Sequence, residues 1–185
     1  MTVVAWIVEA TWPACVDAAR EYAPDDSVIV LLHVTDPEVP GAAHGAFAGL
    51  LGRARPDRDP GVEVEQLASA YAEQLLDEAA ARLGRPCERR QRIGRVEREV
   101  VAAAEGADLL VLARDGDRTH LGPRSLGPPS RFVVDHAPCP VLVVWPDAPP
   151  STATMPPPPP HPPHHRPPPH PPHHRPPPPP APHRR

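Results

Sequence analysis

The chain has 185 residues, a net charge of −4 and 33 prolines, most of them after Pro146. Residues 148–185 hold no acidic residue and almost nothing apolar beyond alanine and Met155. Such a segment buries too little surface to offset the entropy of ordering, so the foldable part is residues 1–147, enough for one core and not two.

All 23 acidic residues lie before residue 150 against 15 arginines, which makes the body −8, while the tail carries four arginines and seven histidines. An acidic body excludes duplex nucleic acid as the main partner, because phosphate binding needs a basic footprint. Cys15, Cys87 and Cys139 are odd in number and form neither a zinc pattern nor a CxxC pair, so reduced thiols are expected. The run Val3–Val8 is too short for a signal core, and nothing approaches the ~20 apolar residues that span a bilayer. These features point to a cytoplasmic protein without membrane association.

In chain order, VVAWIV (3–8), VIVLLHV (28–34), ADLLVLA (107–113) and PVLVVW (140–145) are continuous apolar runs. Runs of this kind fit parallel strands covered on both faces. Between them, Ala14, Ala18, Ala19 and Tyr22 share one face of a first helix. Val64, Leu67, Tyr71, Leu75, Ala79 and Leu83 share a face of a longer one, stopped by Gly84. Val96, Val100 and Ala104 mark a third helix, and Phe132, Val133 and His136 a short last one. The charged CERRQRI (87–93) sits where alternation requires a strand, and its charge suits a sheet edge. The result is an α/β fold: a doubly wound five-stranded parallel sheet, order 3-2-1-4-5, with helices on both faces. Ligands of such sheets bind at the carboxyl ends of the strands, where strand order reverses.

Residues 37–60 form a long connection with a short helix expected at 42–53, either a surface insertion or a cover over a site. The other edge, PVLVVW, has neither charge nor internal proline. That is poor protection for an exposed edge, so a homodimer through Val141 to Val144 is expected.

ADLLVLARDGDRTHLGPRSLGPPSRFVVDHAPCPVLVVW resembles the C-terminal signature of the universal stress protein family. VIVLLHV with Thr35-Asp36 resembles the family's second strand, and VAWIVEAT its first. The resemblance covers about residues 2–146 and implies a Rossmann-like, usually dimeric domain of which some members bind ATP. Those members use a loop of the form G-x2-G-x9-G-[S/T] before the last helix. Its glycines let backbone approach phosphate, and free amides at the helix start hold the anion.

Carried over by position, the site comprises Glu9 (an aspartate in binders), Val34 at the adenine contact, Ala113 for the first glycine, Gly116, Gly127 and Ser130. Ten residues, not nine, separate Gly116 from Gly127, and Pro128 and Pro129 follow. Proline has no amide hydrogen but is harmless in a first helical turn. At about 1.5–3 kcal/mol for each charge-assisted bond, losing two weakens phosphate binding by about a hundredfold or more. Arg118, Arg124 and Arg131 are candidate replacement donors, opposed by Asp115 and Asp117.

No Ser-His-Asp order, paired carboxylates or phosphate-loop lysine is present, so an enzyme is not expected. Glu9 reads either as a ribose contact or base, or as a solvated strand-end carboxylate. His33 reads as a hydrogen-bonded strand residue, and His120 as an exposed loop residue. The expected function is non-enzymatic binding in a stress response, with weak or absent adenine-nucleotide affinity; an ATP-binding member is the alternative.

The tail repeats HPPHHRPPP at 161–169 and 170–178. Polyproline II has three residues per turn, which puts His161, His164, His170 and His173 on one face about 9 Å apart. With His165 and His174 they form a candidate site for Ni, Zn or Cu, in a buffering or delivery role. Proline-rich sequence also suits an aromatic groove of a protein partner. A solubilising spacer, or a pH-dependent clasp onto the acidic body as the histidines charge at pH 5–6, are the other readings.

Overall fold

The computed structural model describes residues 1–37 and 60–155. The expected helix at 42–53 and the histidine repeat lie outside these residues. Five strands form one parallel sheet, β1 (Thr2–Trp6), β2 (Val28–Thr35), β3 (Glu88–Ile93), β4 (Leu109–Ala113) and β5 (Val141–Val144), in the order β3-β2-β1-β4-β5. Among the described residues four α-helices connect them: α1 (Trp12–Tyr22), α2 (Pro60–Leu83), α3 (Val96–Ala103) and α4 (Pro128–His136). The doubly wound architecture expected from the alternation is therefore the one observed, with the arginine-rich strand at one edge and the apolar strand at the other.

Strand residues alternate between two cores, as the period of two requires. Val3, Ala5, Ile7, Ile29, Leu31 and Val111 pack beneath α1 and α2 with Cys15, Ala19, Leu75 and Ala79. Val4, Val30, Leu32, Leu110 and Leu112 pack on the opposite face with Val100 and Val133 from α3 and α4. Gly84 ends α2 with φ +69°, a left-handed conformation that a side chain rarely tolerates, and its N–H reaches Ala80 O at 3.1 Å.

Two helical faces differ from expectation. Tyr22 is exposed, and α1 buries Cys15, Val16, Ala18 and Ala19 instead. On α2, Leu75, Ala79 and Leu83 are buried as expected, but Leu67 is 71 % and Tyr71 42 % exposed. The reason is helical drift. At 3.6 residues per turn a strict four-residue spacing turns away by about 40° per step. The buried stripe of α2 runs through Ala72, Leu75, Leu76, Ala79 and Leu83, so Tyr71 and Leu67, continuing the four-residue steps from Leu75, fall on its exposed flank.

Among the described residues, no helix is long and apolar enough to cross a membrane.

Candidate functional site

The carboxyl ends of the parallel strands gather the residues singled out by sequence. Glu9 lies exposed in the turn after β1, and Val34 is buried near the end of β2. Ala113 ends β4, Gly116 lies in the loop that follows, Gly127 is the N-cap of α4, and Ser130 is buried in its first turn. His33 donates from Nδ1 to Ile7 O at 2.9 Å, and the Ile7 N–H donates to Leu32 O at 2.8 Å. These two bonds knit the ends of β1 and β2, so His33 is a hydrogen-bonded strand residue.

The loop from Arg114 to Gly127 folds back on itself. Gly116 N donates to Ser125 O at 3.0 Å and Asp117 N to Arg124 O at 2.8 Å. A Cβ on Gly116 would stand 2.3 Å from Arg124 O, so glycine is required here by the closed loop itself. Asp115 reaches across the closed loop, and its Oδ1 accepts the Gly127 N–H at 2.7 Å. Both of its carboxylate oxygens lie 2.9–3.0 Å from where a Gly127 Cβ would be. After Gly127, α4 starts Pro128-Pro129-Ser130, and neither proline offers an amide hydrogen. The Ser130 hydroxyl is buried without a hydrogen-bond partner among the described residues.

Two of the three loop arginines expected as replacement donors have other partners. Arg118 Nη1 donates to Asp147 at 3.0 Å, and Arg131 Nη2 to Pro123 O at 2.8 Å and Leu126 O at 3.2 Å. Arg114, which sequence reading passed over, bonds the Ser125 hydroxyl and lies over the Trp145 ring at 4.7 Å. Asp117 accepts from the Thr119 hydroxyl and amide, which hold its carboxyl below the usual range. His120 is exposed and bonds the Thr119 hydroxyl at 2.7 Å.

On the other side of the cleft, Tyr71 of α2 hydrogen-bonds Glu9. Desolvation first, then the Glu9 hydrogen bond and charge, push the Tyr71 phenol up to about 12. A cavity of about 330 Å³ opens nearby at the ends of β2 and β3, lined among others by Thr35, Pro37, Ser69, Gln91 and Ile93. Neither Tyr71 nor the Asp115–Gly127 bond announces itself in sequence: the first reads as core periodicity, and the second spans 12 positions of irregular loop.

Among the described residues, no group of three or more His, Cys, Asp or Glu is placed to hold a metal ion. The six tail histidines His161, His164, His165, His170, His173 and His174 lie outside the described residues.

No curated protein shows significant similarity to the chain. Solved structures do. A universal stress protein in complex with cAMP matches at 19 % identity and TM-score 0.53, over 80 % of this chain and 98 % of its own. The universal stress protein UspA from Lactobacillus plantarum matches at 19 % identity and TM-score 0.51, over 78 % and 97 %. A universal stress protein family protein from Arabidopsis thaliana with AMP bound matches at 23 % identity and TM-score 0.50, over 80 % and 93 %. At these identities the likeness is one of fold. The sequence model of the Universal stress protein family matches residues 8–144, most of the sheet and all four helices, and the chain belongs to that family.

Proposed function

We propose that this chain is a dimeric, non-catalytic binding protein of the stress response, cytoplasmic, with only a weak grip on adenine nucleotides. One observation carries the weak grip: α4 begins Gly127-Pro128-Pro129. A helix start normally presents several free amides to an anion. Here two of them are absent by covalent structure, and the Gly127 amide is already bonded to Asp115. The adenine end of the site keeps its frame, with Val34 buried at the end of β2. That two structurally similar proteins hold cAMP and AMP supports nucleoside monophosphates as the ligands to try first. Glu9, the one candidate base, is engaged by Tyr71, which favours binding over hydrolysis.

A thermal-shift panel of the full chain with AMP, cAMP, ADP and ATP tests this reading. Small or absent shifts are expected throughout. A large ATP-dependent stabilisation that disappears in Gly127→Val would show a working phosphate loop and establish the ATP-binding alternative.

The dimer is supported by β5, whose outer edge carries no charge and has no partner strand in the sheet. A second reading, metal buffering or delivery by the tail, is favoured by the twofold HPPHHRPPP repeat and its same-face histidines. Calorimetric titration of Ni and Zn into the full chain tests it. Binding should be lost when His161, His164, His165, His170, His173 and His174 are replaced by alanine. Retention of binding would move the metal elsewhere.

A further inference from the structure

The structure assigns Asp115 as an internal anion that occupies the phosphate cradle of α4 and so sets the ligand class of the cleft. This deepens the reading above and rests on it. The prolines explain why few donors remain. Asp115 explains why one of those that remain, the Gly127 amide, is not free. Its carboxylate takes the Gly127 N–H at 2.7 Å, in the place where the helix dipole favours negative charge.

Three features hold it there. The rungs from Gly116 N to Ser125 O and from Asp117 N to Arg124 O fix the backbone on both sides of the loop, and Gly116 admits no side chain that would spread them. Gly127 has an ordinary φ of −66°, so its own backbone conformation does not demand glycine. The space beside its Cα is filled by the two Asp115 oxygens, at 2.9 and 3.0 Å from a Cβ position. Finally, Arg114, Arg118 and Arg131 are committed to Ser125, Asp147 and the carbonyls of Pro123 and Leu126. Among the described residues none of these guanidinium groups pairs with Asp115 or draws it off the amide. The buried, unpartnered Ser130 hydroxyl in the same turn is a second polar group suited to an anion.

A phosphate must therefore displace a tethered carboxylate and then face its charge. A nucleoside meets no such competitor. With Asp115 in place, the cleft selects for the nucleoside part of its ligand, and di- and triphosphates gain nothing over singly phosphorylated nucleotides.

The test uses full-length wild type, Asp115→Ala and Asp115→Asn, titrated by calorimetry with inorganic phosphate, AMP and ATP. Thermal midpoints confirm that each protein is folded, and the near-isosteric Asn variant covers the case in which Ala does not fold. Asp115→Ala should bind ATP at least tenfold more tightly than wild type and show measurable phosphate binding. Asp115→Asn should fall between the two, because its amide oxygen still accepts the Gly127 N–H while the charge is gone. If both variants match wild type, Asp115 is not the occupant that excludes phosphate, and the proline-based reading stands alone. If Asn and Ala gain equally, repulsion acts without occupation and the proposal fails. If wild type itself prefers ATP to AMP, the proposed function fails first.

Discussion

Arg82 grips Asp17 through two hydrogen bonds, Nε to Oδ1 at 2.9 Å and Nη2 to Oδ2 at 2.6 Å, and so ties α2 to α1 across 65 residues of chain. The Arg82 hydrogen bond, with the charges of Arg82 and Arg20 adding to it, holds the Asp17 carboxyl below its usual range against a small cost of burial. A depressed folded-state pKa contributes stability that is present above the unfolded value of about 3.9 and lost as pH falls through the folded value. Both side chains are more than a third exposed, so solvent screens the pair and Asp17→Asn should cost about 0.5–1 kcal/mol near neutrality. For a domain of this size that is about 1–4 °C in Tm. The difference between wild type and variant should shrink below pH 4. A constant difference down to pH 2 would contradict the assignment.

Cys15 is fully buried, and burial pushes its thiol up to about 12, partly offset by a backbone hydrogen bond to Ala113. Cys87 and Cys139 are also raised by burial, to a lesser depth. Thiolates are the reactive species, so native protein at pH 8 should react slowly with iodoacetamide at all three positions. Cys15 should be labelled only on unfolding. Rapid native labelling of Cys15, read by peptide mass spectrometry, would place it in a different environment.

The Glu9–Tyr71 hydrogen bond has an optical readout. The chain has two tyrosines, so Tyr22→Phe leaves Tyr71 as the sole phenol titrating near 295 nm. Glu9→Gln removes one of the causes that raise the Tyr71 pKa, and the titration should move to lower pH while desolvation keeps it above the ordinary value. An unchanged curve would mean that Glu9 does not engage Tyr71 in solution.

At β5, Leu110 N donates to Pro140 O and Arg114 N to Val144 O, both at 2.9 Å. Strand backbone alternates direction, so residues 140, 142 and 144 face β4, and the polar groups of Val141 and Val143 point outward. Val143→Pro removes an outward donor without removing a bond to β4. Sedimentation at micromolar concentration should show a dimer for wild type and a monomer for Val143→Pro, with similar circular dichroism. A wild-type monomer would contradict the dimer.

The parallel sheet was readable in sequence because its central strands are buried on both faces, so Val3–Val8, Val28–Val34 and Ala107–Ala113 are apolar apart from His33 and Asp108. β3 has no such run; Glu88–Ile93 was placed by the alternation of elements and confirmed at the edge. Periodicity misled at Leu67 and Tyr71, where a four-residue spacing drifts off the buried stripe that runs through Ala72, and at Tyr22, on the outer side of α1. The loss of amides at Pro128 and Pro129 follows from covalent chemistry, so it could be read directly. The closure of the loop on Asp115 could not. It depends on backbone rungs between Gly116-Asp117 and Arg124-Ser125, which no local pattern encodes.

The weak phosphate grip proposed for the helix start of α4 is put to the test by comparative calorimetry of AMP and ATP on the wild-type chain. A functioning loop adds affinity with each phosphate it contacts, whereas a helix start left with only the Ser130 amide and hydroxyl gains little from the β and γ groups. ATP should bind no more tightly than AMP. ATP binding tenfold or more tightly than AMP would contradict it.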